Sequence, residues 1–223
     1  MTLALDHLVL AARTLEEGVA WCEATLGLRP EAGGQHVFMG THNRVFGIAS
    51  SAFPRSYFEI IAIDPSLPAP KRARWFGLDE PALQRALLDG PRLVAWVARC
   101  DDIAATHATM LAAGIDCGVV EPAERATPRG LLRWKISLRA DGRRLLGGAA
   151  PALIEWGEVH PTDSMPACGI ELQAMRLGGW PDSLAPLLPP QIERDPSPSA
   201  SPISVVLSSS RGLTTLHSHP TEA

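Results

Sequence analysis

The chain has 223 residues, 46% hydrophobic and 20% charged, with a formal net charge of -4 at pH 7. This composition is typical of a globular protein built as one large domain or two small modules. It lacks the basic charge excess that nucleic acid or an anionic membrane surface would attract, and no apolar run approaches the roughly 20 residues of a membrane span. We therefore expect neither partner.

Two further features of composition bear on where the protein works. Residues 1–6 do not resemble a secretion signal, so we expect a cytoplasmic location. The four cysteines are scattered along the chain without a CxxC pair. This pattern favours reduced structural thiols over a disulfide framework or a zinc site.

The first 64 residues predict the order strand, helix, strand, strand, strand. Residues 5–10 alternate as a strand does, Thr14 to Glu17 has the spacing of a helix capping box, and Gly27 is placed to end that helix. Three antiparallel strands are expected next, with a turn at residues 40–43 and strands at 36–39, 44–49 and 57–63. We treat residues 1–64 as the first βαβββ module.

The same order recurs after a connector at residues 65–91, which holds a short helix opening near Pro81. The second module, 92–161, begins with a strand and then a helix that Asp102 caps and Gly114 closes. The expected buried stripe of this helix is Ile103, His107, Met110 and Leu111. Residues 162–223 read as a partial βαβ copy that extends the sheet, with a mobile Pro/Ser-rich loop at 189–202 and a frayed tail.

One histidine and one carboxylate stand mid-strand among apolar residues, where alternation normally places packing side chains. His7 should share a strand face with Leu5 and Val9, and Glu59 should share one with Tyr57 and Ile61. A twisted sheet could direct His7 and Glu59 into one cleft, where they would offer two ligands to a divalent metal. A buried carboxylate needs a cation or a donor, and Arg44 could serve Glu59 equally well.

Tandem βαβββ modules with Asp6-His7 in the first strand and Glu59 in the fourth resemble the vicinal oxygen chelate superfamily, in particular its glyoxalase-like domain proteins. The supporting motifs are Asp6-His7-Leu8-Val9, Gly40-Thr41-His42-Asn43, Tyr57-Phe58-Glu59-Ile60-Ile61, residues 74–79, and Ile154-Glu155-Trp156-Gly157 through His160-Pro161. The resemblance implies an α+β fold in which the two modules form a curved, barrel-like mixed sheet with helices outside. It also implies a cleft between the modules that holds a divalent metal, with Fe, Mn, Zn and Ni as candidates.

On this resemblance His7 and Glu59 are the expected metal ligands of the first module. Glu155 lies on the matching strand of the second module and is expected as a third ligand or a general base, and His42 is a further catalytic candidate at the cleft mouth. The second module departs from the pattern, because aligning Gly27 with Gly114 places Val94 or Ala95 opposite His7. A full ligand set would need a substitute such as His36, His42 or His160.

Two functions follow from the resemblance. The first is an enzyme that binds a small oxygenated metabolite in the cleft between the modules and uses metal-assisted isomerase, lyase, dioxygenase or hydrolase chemistry. The alternative is a metal-free protein of the same fold that binds and sequesters a small apolar or aromatic ligand. A structural role without a ligand is a third reading, and a homodimer is expected only by analogy.

Overall fold

An eight-stranded mixed sheet organises the computed structural model, which describes residues 3–127 and 130–218. The strands of the first module are β1 (Ala4–Ala11), β2 (Glu31–His36), β3 (Thr41–Gly47) and β4 (Tyr57–Ile63). Those of the second are β5 (Arg92–Arg99), β6 (Val119–Thr127), β7 (Gly130–Leu138) and β8 (Ala152–Trp156). Their order across the sheet is β2-β3-β4-β1-β5-β8-β7-β6.

The two modules meet at the centre of this sheet. There β1 and β5 pair antiparallel, and each runs parallel to the last strand of its own module, β1 to β4 and β5 to β8. This pairing relates the halves by an approximate two-fold axis and curls the sheet into a half-barrel. The α+β fold of tandem βαβββ modules that the sequence predicts is therefore confirmed.

Local signals fix the helices α1 (Leu15–Leu26), α2 (Pro81–Ala86) and α3 (Ile103–Ala112). The Thr14 hydroxyl accepts a hydrogen bond from the Glu17 backbone at 3.2 Å, and Gly27 ends α1 with a φ of 73°. The expected stripe of α3 is wrong in part. Its buried residues are Ile103, Thr106 and Met110, while 51% of Leu111 is exposed, because residues at steps of three and four share one face of a helix.

The hairpin of the first module differs from its prediction by several residues. The strand expected at 36–39 is a turn, and β2 lies before it, at Glu31–His36. Gly33 and Gly34 weaken the strand pattern of β2, but a side chain at either position would collide with a neighbouring residue. A Cβ on Gly33 would lie 2.2 Å from Asn43 Oδ1, so β2 pairs with β3 only because its backbone is bare at this point.

The sequence predicts that the C-terminal region extends the first sheet, and this prediction is wrong. The region forms a second sheet in the order β10-β9-β11-β12, from β9 (Glu171–Gly178), β10 (Ile192–Asp195), β11 (Ile203–Ser209) and β12 (Gly212–His217). Part of the predicted 189–202 loop is thus a strand, and residues 219–223 of the expected tail lie outside the described residues. The apolar face of this sheet joins the core behind the first sheet, which is why it stacks rather than adding to an edge.

Two apolar layers therefore lie on the two faces of the eight-stranded sheet. Leu8 and Trp96 pack into the layer shared with the helices and the second sheet, whereas Val9 and Val97 face the interior of the half-barrel. Leu5 was expected to share a face with His7, but a register shift between them turns Leu5 toward the helices. Among the described helices, none has both the length and the apolar character that a bilayer crossing demands.

Candidate functional site

The half-barrel encloses a cleft of about 50 Å³ between the two modules. The first module contributes mostly polar side chains and the second mostly apolar ones. Its lining comprises His7, His36, Asn43, Val45, Tyr57, Glu59, Trp75, Phe76, Arg125, Trp134, Ile136, Ile154, Trp156, Pro161 and Met165. A single water needs roughly 10–15 Å³ on this scale, so the cleft suits a compact chemical group of a few atoms.

His7 is fixed in this cleft by its neighbour in β1. Its Nδ1 lies 2.7 Å from Asp6 Oδ1, and its ring stacks on Tyr57 with the ring centres 4.5 Å apart. Parallel pairing of β1 with β4 puts Tyr57 directly beside His7 and Glu59 beside Val9. The remaining nitrogen, Nε2, lies 3.5 Å from Glu59 Oε2. Sequence periodicity thus brings together His7 and Glu59, each only 5% exposed.

Glu59 is held by Asn43, a partner that the sequence pattern does not indicate. Asn43 Nδ2 donates to Glu59 Oε1 at 2.6 Å, and Asn43 Oδ1 accepts from the Gly34 backbone at 2.8 Å. Arg44, the alternative partner, points elsewhere and donates weakly to the Asn43 carbonyl. One oxygen of the Glu59 carboxylate is therefore anchored, and the other is left facing His7.

Asp6 ties the cluster to the end of the second module. Its Oδ2 accepts from Trp156 Nε1 at 2.9 Å and from His160 Nε2 at 2.9 Å. His160 Nδ1 accepts from the Thr162 backbone, which leaves Nε2 as the protonated nitrogen that donates to Asp6. His160 was considered as a substitute metal ligand, but both of its ring nitrogens are used in these bonds.

The cluster shifts the protonation of its members. Burial alone would lower the pKa of His7, but the hydrogen bond to Asp6 and the contact with Glu59 outweigh it and raise the pKa to about 9. Burial alone would raise the pKa of Glu59, but the contact with His7 outweighs it and lowers the pKa to about 2. The bonds from His160 and His7 likewise overcome burial and hold the pKa of Asp6 well below its usual range. At neutral pH a histidinium therefore lies between two carboxylates.

His36 and Tyr57 are the uncharged members of the cleft. Burial lowers the pKa of His36 to about 4, so its imidazole is neutral, and its Nδ1 lies 3.1 Å from the Thr41 hydroxyl. Burial and the nearby carboxylates raise the pKa of Tyr57 well above its ordinary value. The charge in the first-module wall is therefore concentrated on Asp6, His7 and Glu59.

Two of the residues expected from the sequence lie outside the cleft. Glu155 is on the right strand but the wrong face, because its neighbours Ile154 and Trp156 line the cleft. Its carboxylate accepts from Lys135 Nζ at 2.6 Å and from the Ile103 backbone at 2.9 Å, so it caps α3. His42 alternates in the same way with Asn43, and its Nδ1 lies 3.5 Å from Asp64.

The donors in this cleft do not fit a chelated metal. His7 offers Nε2 with Nδ1 held by a carboxylate, as metal-bound histidines usually are, and Glu59 offers one oxygen. A catalytic site needs at least three protein ligands in most cases. In the second module Val97 lies opposite His7 and offers no donor, and Val94 and Ala95, the residues that the sequence aligns with His7, are apolar as well. Within residues 3–127 and 130–218, no group of three or more His, Cys, Asp or Glu side chains is arranged to hold a metal ion.

Two βαβββ halves curled around a ligand-sized cleft are the architecture of the vicinal oxygen chelate superfamily. Within it, the chain belongs to the glyoxalase-like domain family, whose model matches residues 5–189. This confirms the resemblance in the sequence. No protein with a curated description matches the chain.

Solved structures show similarity at the level of the fold. A hypothetical protein from Staphylococcus aureus is 13% identical, with 98% of this chain and 86% of that chain covered and a TM-score of 0.57. Methylmalonyl-CoA epimerase from Streptomyces coelicolor, in complex with 2-nitronate-propionyl-CoA, is 18% identical, with 71% and 99% covered and a TM-score of 0.42. The epimerase from Mycobacterium tuberculosis is 15% identical, with 72% and 91% covered and a TM-score of 0.39.

Proposed function

We propose that the cleft binds a small oxygenated metabolite and moves a proton on it, with Glu59 as the base and His7 as the donor to the ligand oxygen. The observation that carries this proposal is the 3.5 Å contact between His7 Nε2 and Glu59 Oε2. It is longer than a good hydrogen bond, although the outer atoms of both side chains are tightly bonded. The Nε2 proton of His7 and the Oε2 atom of Glu59 are therefore available to a ligand, with a ligand oxygen accepting from His7 and the adjacent carbon facing Glu59.

The reaction that suits this pair is proton removal from a carbon next to a carbonyl group. The His7 imidazolium donates from Nε2 to the carbonyl oxygen, Glu59 takes the proton from carbon, and the negative charge that develops on the oxygen is stabilised by His7. Glu59 then returns the proton to the former carbonyl carbon, and the proton of the neighbouring hydroxyl passes through His7 Nε2 to the former carbonyl oxygen, which completes the isomerisation of a hydroxy ketone. Asp6 keeps His7 charged and oriented throughout.

The low pKa of Glu59 in the free protein does not oppose this role. Contact with His7 is the largest effect that lowers the pKa of Glu59, while burial acts to raise it. A ligand oxygen that accepts from His7 weakens that contact, and the buried carboxylate becomes a stronger base when the ligand is present. Binding and activation are thereby coupled.

Deuterium exchange tests the proposal without knowledge of the substrate. The protein is incubated in D₂O with a panel of small hydroxy ketones and oxo acids, and exchange at carbon is followed by NMR. We expect exchange with the wild type and a loss of about 10²–10⁴-fold in Glu59→Gln, the usual contribution of a general base. Glu155→Gln makes the same change outside the cleft and should retain the activity. Equal exchange in wild type and Glu59→Gln would refute the proposal.

A second function is favoured by the aromatic wall of the cleft. Trp75, Trp134 and Trp156 line it together with aliphatic side chains, as in sites that hold flat or apolar ligands. In this alternative the protein sequesters its ligand without a reaction. Binding of a panel compound without any exchange, unaffected by Glu59→Gln, would favour sequestration over catalysis.

A further inference from the structure

Two N–H donors that line the cleft have no acceptor. Trp75 Nε1 and Arg125 Nη1 are buried, and neither has a hydrogen-bond partner in the described part of the chain. Buried donors are nearly always paired in folded proteins, so each one left open calls for an explanation. Two in the same cleft point to an acceptor that arrives with the ligand.

Arg125 also lacks a counter-ion. The two acidic residues nearest to it in β6 are engaged elsewhere, Glu121 with Arg72 at 2.7 Å and Glu124 with Arg133 at 3.3 Å. His7, the other cation of the cleft, lies between Asp6 and Glu59. The positive charge of Arg125 is therefore the one in the described cleft lining without a carboxylate within ion-pair distance.

The guanidinium lies close to the reacting pair. It rests on the bare backbone of β2, since a Cβ on Gly34 would be 2.4 Å from Arg125 Nη1. The Gly34 backbone donates to Asn43, and Asn43 donates to Glu59. Only one residue thus separates the guanidinium from the side chain that holds the base, and β6 closes over the cleft from the opposite edge of the sheet.

We propose that Arg125 and Trp75 form a carboxylate subsite and that the cleft takes a small 2-oxo or 2-hydroxy acid. The inference rests on the proposed function, because it places the acid's neighbouring oxygen against His7 Nε2 and the adjacent carbon against Glu59. Arginine binds a carboxylate through two parallel hydrogen bonds, and Trp75 adds a neutral donor. A planar carboxylate matches the fork of the guanidinium, and the cleft of about 50 Å³ suits a compact acid.

Calorimetric titration with matched probes tests the subsite. Pyruvate and hydroxyacetone are similar in size, but only pyruvate carries a carboxylate, and inorganic phosphate serves as the competing anion. We expect the wild type to bind pyruvate at least about tenfold more tightly than hydroxyacetone or phosphate, the gain from one charge-assisted pair. Arg125→Met should remove this preference, while Arg133→Met, an exposed arginine on β7, should keep it.

The outcomes separate this inference from the proposed function. Gly34→Ala displaces the guanidinium without removing its charge, and it should reduce the preference for pyruvate over hydroxyacetone. A carboxylate preference that survives Arg125→Met, a preference for phosphate, or no pyruvate binding would each overturn the subsite. Loss of the preference in Arg125→Met supports the subsite even where no variant exchanges deuterium, a result that would refute only the proton-transfer role of Glu59.

Discussion

The two halves of the sheet share one topology and carry different side chains into the same cleft. From β1, β3 and β4, the first half presents Asp6, His7, Asn43 and Glu59, which are joined by hydrogen bonds and charge. At corresponding places the second half presents Val97, Trp134, Ile136, Ile154 and Trp156. The repeat therefore preserves the shape of a cleft without preserving a set of metal ligands. The reactive pair lies on the first half, and most of the apolar lining lies on the second.

The halves are nevertheless coupled through Asp6. Its carboxylate accepts from Trp156 and His160, both at the end of the second half, and it fixes His7 of the first. Asp6 has 0% exposure, so these donors offset the cost of burying its charge. Matched variants in the two halves therefore differ in their expected effects, because the reactive pair lies on the first half and most of the apolar wall on the second.

The largest expected effect comes from Asp6→Ala. It leaves the buried His7 with one carboxylate and deprives Trp156 and His160 of their acceptor, so we expect a loss of about 3–5 kcal/mol in the free energy of unfolding. Urea denaturation measures it. The matched change in the second half, Glu155→Ala, breaks a half-exposed pair with Lys135 and should cost about 1 kcal/mol. Equal losses in the two variants would contradict the contrast.

The pH dependence of stability should report on His7. Its pKa rises from 6.5 when unfolded to about 9 when folded, so its contribution is complete below pH 6.5 and is lost as the pH rises through about 9. Asp6 and Glu59 stay ionised in this window because their pKa values are lowered, Tyr57 stays neutral because its pKa is raised, and His36 is neutral above about 4.

We expect the wild type to lose about 3 kcal/mol of unfolding free energy between pH 6.5 and pH 10 relative to His7→Gln. Urea titrations of both proteins across this range give the difference. Parallel pH profiles for the two proteins would show that His7 is not charged in the folded state.

A histidine placed in the second half tests whether a third donor beside His7 and Glu59 is enough to bind a metal ion. Val97 lies directly opposite His7 on β5 and is fully buried, so Val97→His adds a third donor beside His7 and Glu59. Without metal we expect a loss of about 1–3 kcal/mol in stability from burying a polar ring. Added Zn²⁺ or Ni²⁺ should raise the Tm of this variant and leave that of the wild type unchanged. An equal rise in both would be evidence against the two-donor description.

The smallest expected effect is that of Trp156→Phe. Phenylalanine keeps the apolar wall but removes the indole donor to Asp6. A hydrogen bond to a charged group contributes about 1.5–3 kcal/mol, and we expect a loss at the lower end of this range because the bonds of Asp6 to His7 and His160 remain. Trp134→Phe makes the same change on the same wall without touching Asp6, and it should cost less. If the two variants have the same stability, the bond from Trp156 does not stabilise Asp6.

Much of the fold could be predicted because its signals are local. The Thr14 cap and Gly27 bound α1, and alternation locates β1 and β4 to within one residue. The predicted position of the hairpin between β2 and β3 is wrong because two glycines weaken the strand pattern of β2. The glycines are needed for a contact with Asn43, nine residues further along the chain, which a local pattern does not indicate.

The candidate site was predictable only in part. Period-two alternation is enough to place His7 and Glu59 on one face of the sheet. The same alternation places Glu155 on the strand expected for a ligand, but its side chain lies on the face away from the cleft. The partners of Asp6 lie about 150 residues away, in Trp156 and His160, and no local pattern indicates them. The sequence pattern does not indicate a role for Arg125, because an arginine in an alternating strand is typical of a solvent-exposed edge.

Metal analysis tests the central claim most directly, namely that the chemistry of the cleft belongs to the first-half cluster without a chelated metal. The wild type and His7→Ala are purified without added metal, soaked with Fe, Mn, Zn and Ni in turn, desalted and measured by elemental analysis. We predict no stoichiometric metal in either protein under any condition. One metal ion per wild-type chain, absent from His7→Ala, would contradict the account.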